Sequence, residues 1–273
     1  MTNVDLEKAV ASVKAKGNII EQARLASILW KKKPEKKVLQ KLAEMQNADG
    51  GFSYFVKGFS SVCDTAYVLI WFDELTLQRH PMAEHAVDFL AFQQKEDCGW
   101  DEVERVKETN PPPFLMPGVI SNRIWLTAYC AHWIIRLGYA EHVRAKGCPN
   151  EFLKAYRESS GRLGSSKDLR ATWDWLVLLA YIYGRESEIF KQTLAVVEEN
   201  FAPEKWEGNY MAWLCLCLRD AGLPADYPFV KHCLEELAKK QRADGSWDSE
   251  DGEEYAVNAT IEALNALKHY VII

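Results

Sequence analysis

The chain has 273 residues, 33 Lys and Arg against 39 Asp and Glu, and a formal net charge of −6 with a pI near 5.6. That balance excludes a strongly basic nucleic-acid binder, and 48% hydrophobic with 26% charged residues excludes disorder over most of the length. Aromatic residues are conspicuous, with 10 Trp, 11 Tyr and 11 Phe.

From the N-terminus, MTNVDLEKAVASVKAKG is charged throughout and has no apolar core, so no signal peptide is expected. Helices are expected at 4–15 and 19–31, followed by a one-sided helix at 34–46 with Val38, Leu39, Leu42 and Met45 on one stripe and lysines opposite. The segment 61–75 is apolar almost all round, as befits a helix with protein on every side, and 82–94 is one-sided again.

Between Trp100 and Trp125 the prolines at 111, 112, 113 and 117 forbid helix, while Phe114, Leu115, Met116, Val119 and Ile120 make the loop apolar. Loop 111–120 is therefore expected either to cover a cavity mouth, to meet a protein partner or membrane surface, or to fold back on its own helices. All-round apolar helices follow at 121–138, 168–183 and 207–221, with further helices at 150–160, 186–200, 227–241 and 254–270. Twelve helices alternate between one-sided and buried, and no apolar stretch reaches the roughly 18 residues of a membrane span. The seven cysteines are odd in number and several lie in apolar runs, which suggests reduced, buried thiols in a cytoplasmic protein.

The joints between helices repeat. Gln46 to Phe52, Gln94 to Trp100 and Gln241 to Trp247 share the form Q-x-x-D-x-[GS]-[FW]. The first two aromatic positions are 48 residues apart and the last two 147, close to three such intervals, so degenerate copies are expected between; NFAPEKW, 200–206, occupies one such place. In this motif Gln would satisfy helix-end carbonyls, Asp-Gly would make the turn with Gly at positive φ, and the ring would lie back over the joint.

These joints, followed by apolar helices of which two begin with a Thr-Ala step, Thr65-Ala66 and Thr127-Ala128, resemble the prenyltransferase and squalene-cyclase repeat of triterpene cyclases, class II diterpene cyclases and protein prenyltransferase β subunits. The resemblance runs from about Ile19 to Leu267. It implies an all-α fold, a single α/α toroid domain over 1–273 built of six helical hairpins with inner and outer rings, around a central cavity. The implied function is a terpene-cyclase-like enzyme, an isomerase or lyase binding an isoprenoid or similar apolar ligand for acid-initiated cyclisation through carbocations. Two alternatives stand beside it: a non-catalytic toroid for a hydrophobic ligand or protein, and a prenyltransferase-like subunit completed by a partner chain.

In class II cyclases the proton donor is the central Asp of D-x-D-D-T-A. Here Ser61-Val62-Cys63-Asp64-Thr65-Ala66 lines up, with Cys63 in the donor's place; a thiol of pKa about 8.5 is a weak acid for an alkene. Asp64 and Asp174 are the candidate acids, with Cys63 beside them in the candidate catalytic set, Asp64 otherwise capping its helix and Asp174 otherwise pairing with Arg170 one turn away. Prenyltransferases hold Zn²⁺ with Asp, Cys and His; Cys63, Asp64 and His132 supply the residue types in a different spacing, so no cofactor is expected. A complement-type thioester segment, Cys-Gly-Glu-Gln, is absent, and Gly147-Cys148-Pro149-Asn150 does not replace it.

Candidate ligand-binding rings are Tyr67 and Trp71, Trp125, Tyr129 and His132, Trp173, Tyr210 and Trp213, joined on the inner helices by Trp133 and Tyr181. Such faces stabilise a cation by about 0.5–2 kcal/mol each, and they also pack cores. Arg123, Arg170, Asn209, Glu254 and Asn258 open inner helices and are expected around the mouth, where helix N-termini favour a diphosphate or carboxylate.

Overall fold

The computed structural model describes residues 4–141, 148–164 and 169–270. Among these, all twelve expected helices form: α1 (Leu6–Lys16), α2 (Ile19–Trp30), α3 (Lys36–Met45), α4 (Val62–Glu74), α5 (Pro81–Gln93), α6 (Ile120–Arg136), α7 (Cys148–Lys154), α8 (Arg170–Tyr183), α9 (Glu188–Glu199), α10 (Gly208–Asp220), α11 (Pro228–Lys239) and α12 (Ala256–His269). Extended pairing is limited to isolated bridges, so the class is all-α as expected. Helix α7 ends at Lys154, well short of the expected 160, because residues 157–163 form a joint.

The described chain forms two compact units. One comprises the residues up to Gln40 together with those from Glu198 onward, and the other Lys41–Val197. In the first unit α12 packs on α2, α10 and α1, and α10 packs on α11. Helices α10 and α12 are buried at nearly every position, whereas α11 buries one face through Phe229, Val230, Cys233, Leu234 and Leu237. In the second unit α6 lies between α4 and α8, and α4 also meets the one-sided α5.

The repeated joints explain how one-sided and buried helices are linked. In each, the Gln side chain donates to the carbonyl of the fifth motif residue: Gln46 to Gly50 at 2.8 Å, Gln94 to Cys98 at 3.0 Å, Gln241 to Gly245 at 3.0 Å. The Asp carboxylate accepts the N–H two residues on, from Gly51, Gly99 and Ser246. Trp100 and Trp247 are fully buried, and each indole N–H donates to a carbonyl ten residues back, Leu90 and Leu237.

A further element recurs that the motif did not contain. The backbone N–H of the aromatic residue donates to a threonine hydroxyl on a buried helix, Phe52 to Thr65 (2.9 Å), Trp100 to Thr127 (2.9 Å) and Trp247 to Thr260 (3.0 Å). A threonine, in the Thr-Ala step at Thr65 and Thr127 and before Ile261 at Thr260, is thus a latch that fixes each joint to a helix.

This latch reveals a copy with none of the motif's Gln, Asp or aromatic residues. Leu163 N–H donates to Thr172 Oγ1 at 3.2 Å, Glu158 N–H to Arg162 O as Asn47 N–H does to Gly51 O, and Gly161 takes the positive φ of Gly50. The expected copy at 200–206 lacks the latch: Trp206 is half-buried against Phe201 and Tyr210, and α10 has no Thr in its first two turns.

Positive φ at the fifth motif position is carried by Gly50 (87°), Gly245 (86°) and, in the second joint, Cys98 (72°). A Cβ on Gly50 would lie 2.4 Å from His85 O, and one on Gly245 2.4 Å from a Lys8 backbone carbon, so glycine is required at both. Cys98 instead forms a disulfide with Cys148, their Cα atoms 5.3 Å apart. This corrects the expectation of seven reduced thiols; Cys63, Cys130, Cys215, Cys217 and Cys233 are free and buried. No helix among the described residues is long and apolar enough to cross a membrane.

Candidate functional site

Asp64 lies in the first turn of α4, fully buried. It does not cap its own helix, as expected for a structural role; Ser61 does, accepting the Asp64 N–H at 3.1 Å. Asp64 Oδ2 instead accepts two backbone N–H groups of the loop beyond the first joint, Tyr54 at 2.6 Å and Val56 at 3.0 Å. Its second oxygen, Oδ1, is buried with no hydrogen-bond partner. Burial is the main cause that raises this carboxyl from 3.8 to about 6, opposed by the backbone N–H groups of Tyr54, Val56 and Phe55 and reinforced by the charge of Glu102.

Asp64, Tyr67 and Trp71 are spaced i, i+3, i+7 and share one face of α4. The loop that Asp64 holds lays two more rings over that face. Tyr54 stacks on Tyr67 (5.5 Å, 24°) and meets Trp71 edge-on (5.1 Å), and Phe55 lies 5.3 Å from Tyr67. The site is therefore a buried acid beside four rings, of which Tyr54 and Phe55 were missed; the aromatic pair after Phe52 was the available signal.

Glu102 was missed as well. Nearly buried, it accepts Val62 N–H (2.7 Å), Cys63 N–H (3.0 Å) and the Ser61 hydroxyl (2.9 Å), closing the N-terminus of α4 from the second joint. A carboxylate is stabilised there by the helix dipole and its free N–H groups, although burial pushes its pKa up. The acid after the joint ring was a readable signal, since Asp248, which follows Trp247, likewise accepts Gly208 N–H at the start of α10, at 2.6 Å. Cys63, at 4% exposure, sits in this cap.

The second candidate acid, Asp174, is fully buried in the first half of α8 and meets His132 Nδ1 of α6 at 2.6 Å, a partner that the Arg170 spacing did not foretell. Such a pair holds a proton between carboxyl and imidazole. Of the residues in the zinc reading, His132 thus turns Nδ1 to Asp174, and Asp64 turns Oδ2 to the backbone. The Cys130 thiol between them in sequence is pushed well up by burial first, then by the charges of Glu102 and Asp174.

Trp125 and Tyr129 stack on each other (5.5 Å, 23°), Arg170 lies over the Trp125 ring at 5.8 Å, and Phe114 meets the same indole edge-on at 6.1 Å. Trp173 and Trp133 are core rings, fully or nearly buried, while Tyr181 is 46% exposed and does not line an interior. Loop 111–120 is pinned: Asn122 donates to Pro113 O and Met116 O, Asp101 accepts Gly118 N–H, and Leu115 is buried, leaving Val119 and Ile120 exposed.

Arg123, expected at an anion-binding mouth, has carboxylate partners within the fold. It grips Asp97 of the second joint through Nη2 at 2.8 and 2.9 Å, with Asp101 at 3.6 Å, because the joint turns its carboxylates toward the first turns of α6. In the first unit, Asn258 is buried, accepts from Arg24 Nη1 at 2.5 Å and donates to Glu21 at 3.4 Å, tying α12 to α2. Asn209 accepts Glu250 N–H, Glu254 is exposed, and Tyr210 and Trp213 are half-buried.

Residues 28–151 match the family model of the A-macroglobulin TED domain, a different family from the repeat that the joints resemble. Gly147 of the Gly147–Asn150 segment lies outside the described residues, and Cys148 is in the disulfide. No curated protein matches the chain in sequence. Among solved structures it is similar to the type II terpene cyclase MstE from Scytonema, with 14% identity and a TM-score of 0.61 over 92% of this chain and 86% of that one. A variant of MstE in complex with its substrate, geranylgeranyl dihydroxybenzoate, gives 13% identity and 0.61 over 93% and 87%. A protein from Actinoplanes gives 16% and 0.57 over 93% and 90%. The chain has the α/α toroid fold of these cyclases; identities this low carry the fold alone.

Proposed function

We propose that this protein is a terpene-cyclase-like enzyme that acts on an isoprenoid or similarly apolar chain, with Asp64 as the acid that starts the reaction. The observation that carries the reading is the free, buried Oδ1 of Asp64 beside the rings of Tyr54, Tyr67 and Trp71. A carboxyl fixed through one oxygen has one position left for a transferable proton, and the raised pKa keeps that proton on the protein at mildly acid pH. Ring faces stabilise the positive charge that follows.

An acid of this strength suits a substrate oxygen, such as an epoxide, better than a bare alkene. The Asp64 proton bonds to that oxygen as its C–O bond breaks, π pairs of the chain close the new C–C bonds, and a proton leaves at the end, so product and substrate have equal mass. His132 with Asp174 is a second buried proton site, suited to hold a proton in the same unit.

The test is incubation of the full chain with linear isoprenoids bearing a terminal alkene or epoxide, followed by chromatography and mass spectrometry for an isomer. Asp64→Asn is expected to lower turnover by about 10²–10⁴, the usual worth of a general acid. Turnover undiminished in Asp64→Asn would refute the assignment. Cys63 at the family's donor position favours a second reading, a toroid that holds an apolar ligand unchanged; a lipid retained in native mass spectrometry without isomer formation would select it.

A further inference from the structure

The acidic chain gathers an unusual concentration of positive charge at one corner of its first unit. The segment Trp30-Lys31-Lys32-Lys33-Pro34-Glu35-Lys36-Lys37 carries five lysines against one acid in a protein of net charge −6. All five lysines are exposed. Glu35 is offset by Lys37 at 3.1 Å, an exposed pair of little energetic weight.

At the head of this run, Trp30 ends α2 with 46% of its surface exposed. Two ammonium groups stand over its ring, Lys32 from the run and Lys14 from α1, each at 5.7 Å. The chain is turned there by Lys31 in the left-handed region (φ 55°), with Pro34 limiting the loop that follows, so the lysines and the ring are presented by a defined turn between two helices.

An exposed indole in a field of flexible ammonium groups has the chemistry of a membrane interface: Trp sits at the headgroup level, and lysines are attracted to an anionic leaflet. The run has no arginine, so it lacks the planar, bidentate donors that dominate base recognition in nucleic acids. We propose that the Trp30–Lys37 corner, with Lys14, is a docking surface for an anionic lipid bilayer. The inference is independent of the reaction assigned to Asp64. It is distinct from loop 111–120, which Asn122 and Asp101 hold in place in the other unit.

The experiment is cosedimentation of the full chain with phosphatidylcholine vesicles containing about a third phosphatidylglycerol, against phosphatidylcholine alone, over a range of salt. Binding is expected only to the anionic vesicles and falls as salt rises. The triple variant Lys31→Gln, Lys32→Gln, Lys33→Gln is expected to bind roughly a hundredfold more weakly, from about fivefold per lysine. Trp30→Ala should weaken binding several-fold without changing net charge. All four positions are exposed, so unchanged circular dichroism will show that the variants fold. Absence of vesicle binding, equal binding to neutral vesicles, an unaffected triple variant, or tighter binding to a duplex DNA oligonucleotide at the same salt would each overturn the proposal.

Discussion

Asp64 makes stability depend on pH in a direction opposite to that of a salt-bridged carboxylate. Its folded-state pKa is raised from 3.8 to about 6, so between these values the native state binds more protons than the unfolded chain, and stability falls as pH rises. The full effect is about 3 kcal/mol, reached above the folded pKa, and the part lost between about pH 4.5 and about pH 7.5 is about 2 kcal/mol. Glu102 is raised by burial as well and contributes in the same direction, so the comparison has to isolate one group. Asp64→Asn does so: its amide oxygen can still accept Tyr54 and Val56 N–H, while its NH₂ replaces the partnerless Oδ1. That buried donor costs about 1–3 kcal/mol at every pH, which changes the height of the stability curve but not its slope. Urea denaturation of both proteins across this range should show the variant's decline with pH to be shallower by about 2 kcal/mol. Equal slopes would show that Asp64 is ionised normally, and with that the proton-donor reading would lose its basis.

The threonine latches should be graded by chemistry rather than size. Thr260→Val keeps the shape but orphans Trp247 N–H, and is expected to cost about 1–3 kcal/mol by chemical denaturation, whereas Thr260→Ser, which retains the hydroxyl, should cost less than about 1 kcal/mol. The same ordering is expected at Thr172, where the latched residue is Leu163 rather than an aromatic, and a neutral Thr172→Val would remove that segment from the repeat. Reducing the Cys98–Cys148 bridge, which spans 50 residues, should lower stability by at most about 4 kcal/mol on chain-entropy grounds, with Cys148→Ser reproducing the loss. An unchanged denaturation midpoint after reduction would refute a stabilising role for it.

Local sequence determined the twelve helices, because the pattern of apolar residues and the capping and breaking residues act over one or two turns. Pro81 and Pro228 start helices, Asn18 and Glu21 close a capping box, and the apolar faces of α3 and α11 are one-sided as their spacing requires. The three clear joints were legible for the same reason, since Gln, Asp and Gly or Cys bond within the turn that contains them. So was Asp64 as a candidate acid, and its face with Tyr67 and Trp71. What tertiary structure decided lies in bonds between distant segments. The Leu163 joint keeps the backbone bonds, a latch to Thr172 and Ser160 in the place of the Asp, none of which carries the Gln, Asp and aromatic signature. That Arg123 holds Asp97, 26 residues away, and that Glu102 closes the N–H groups of α4, 40 residues back, is decided by the packing of distant segments. Asp64 itself acquires its chemistry only in the fold, where burial, the backbone N–H groups of the 54–56 loop and the charge of Glu102 set a proton affinity that no spacing encodes.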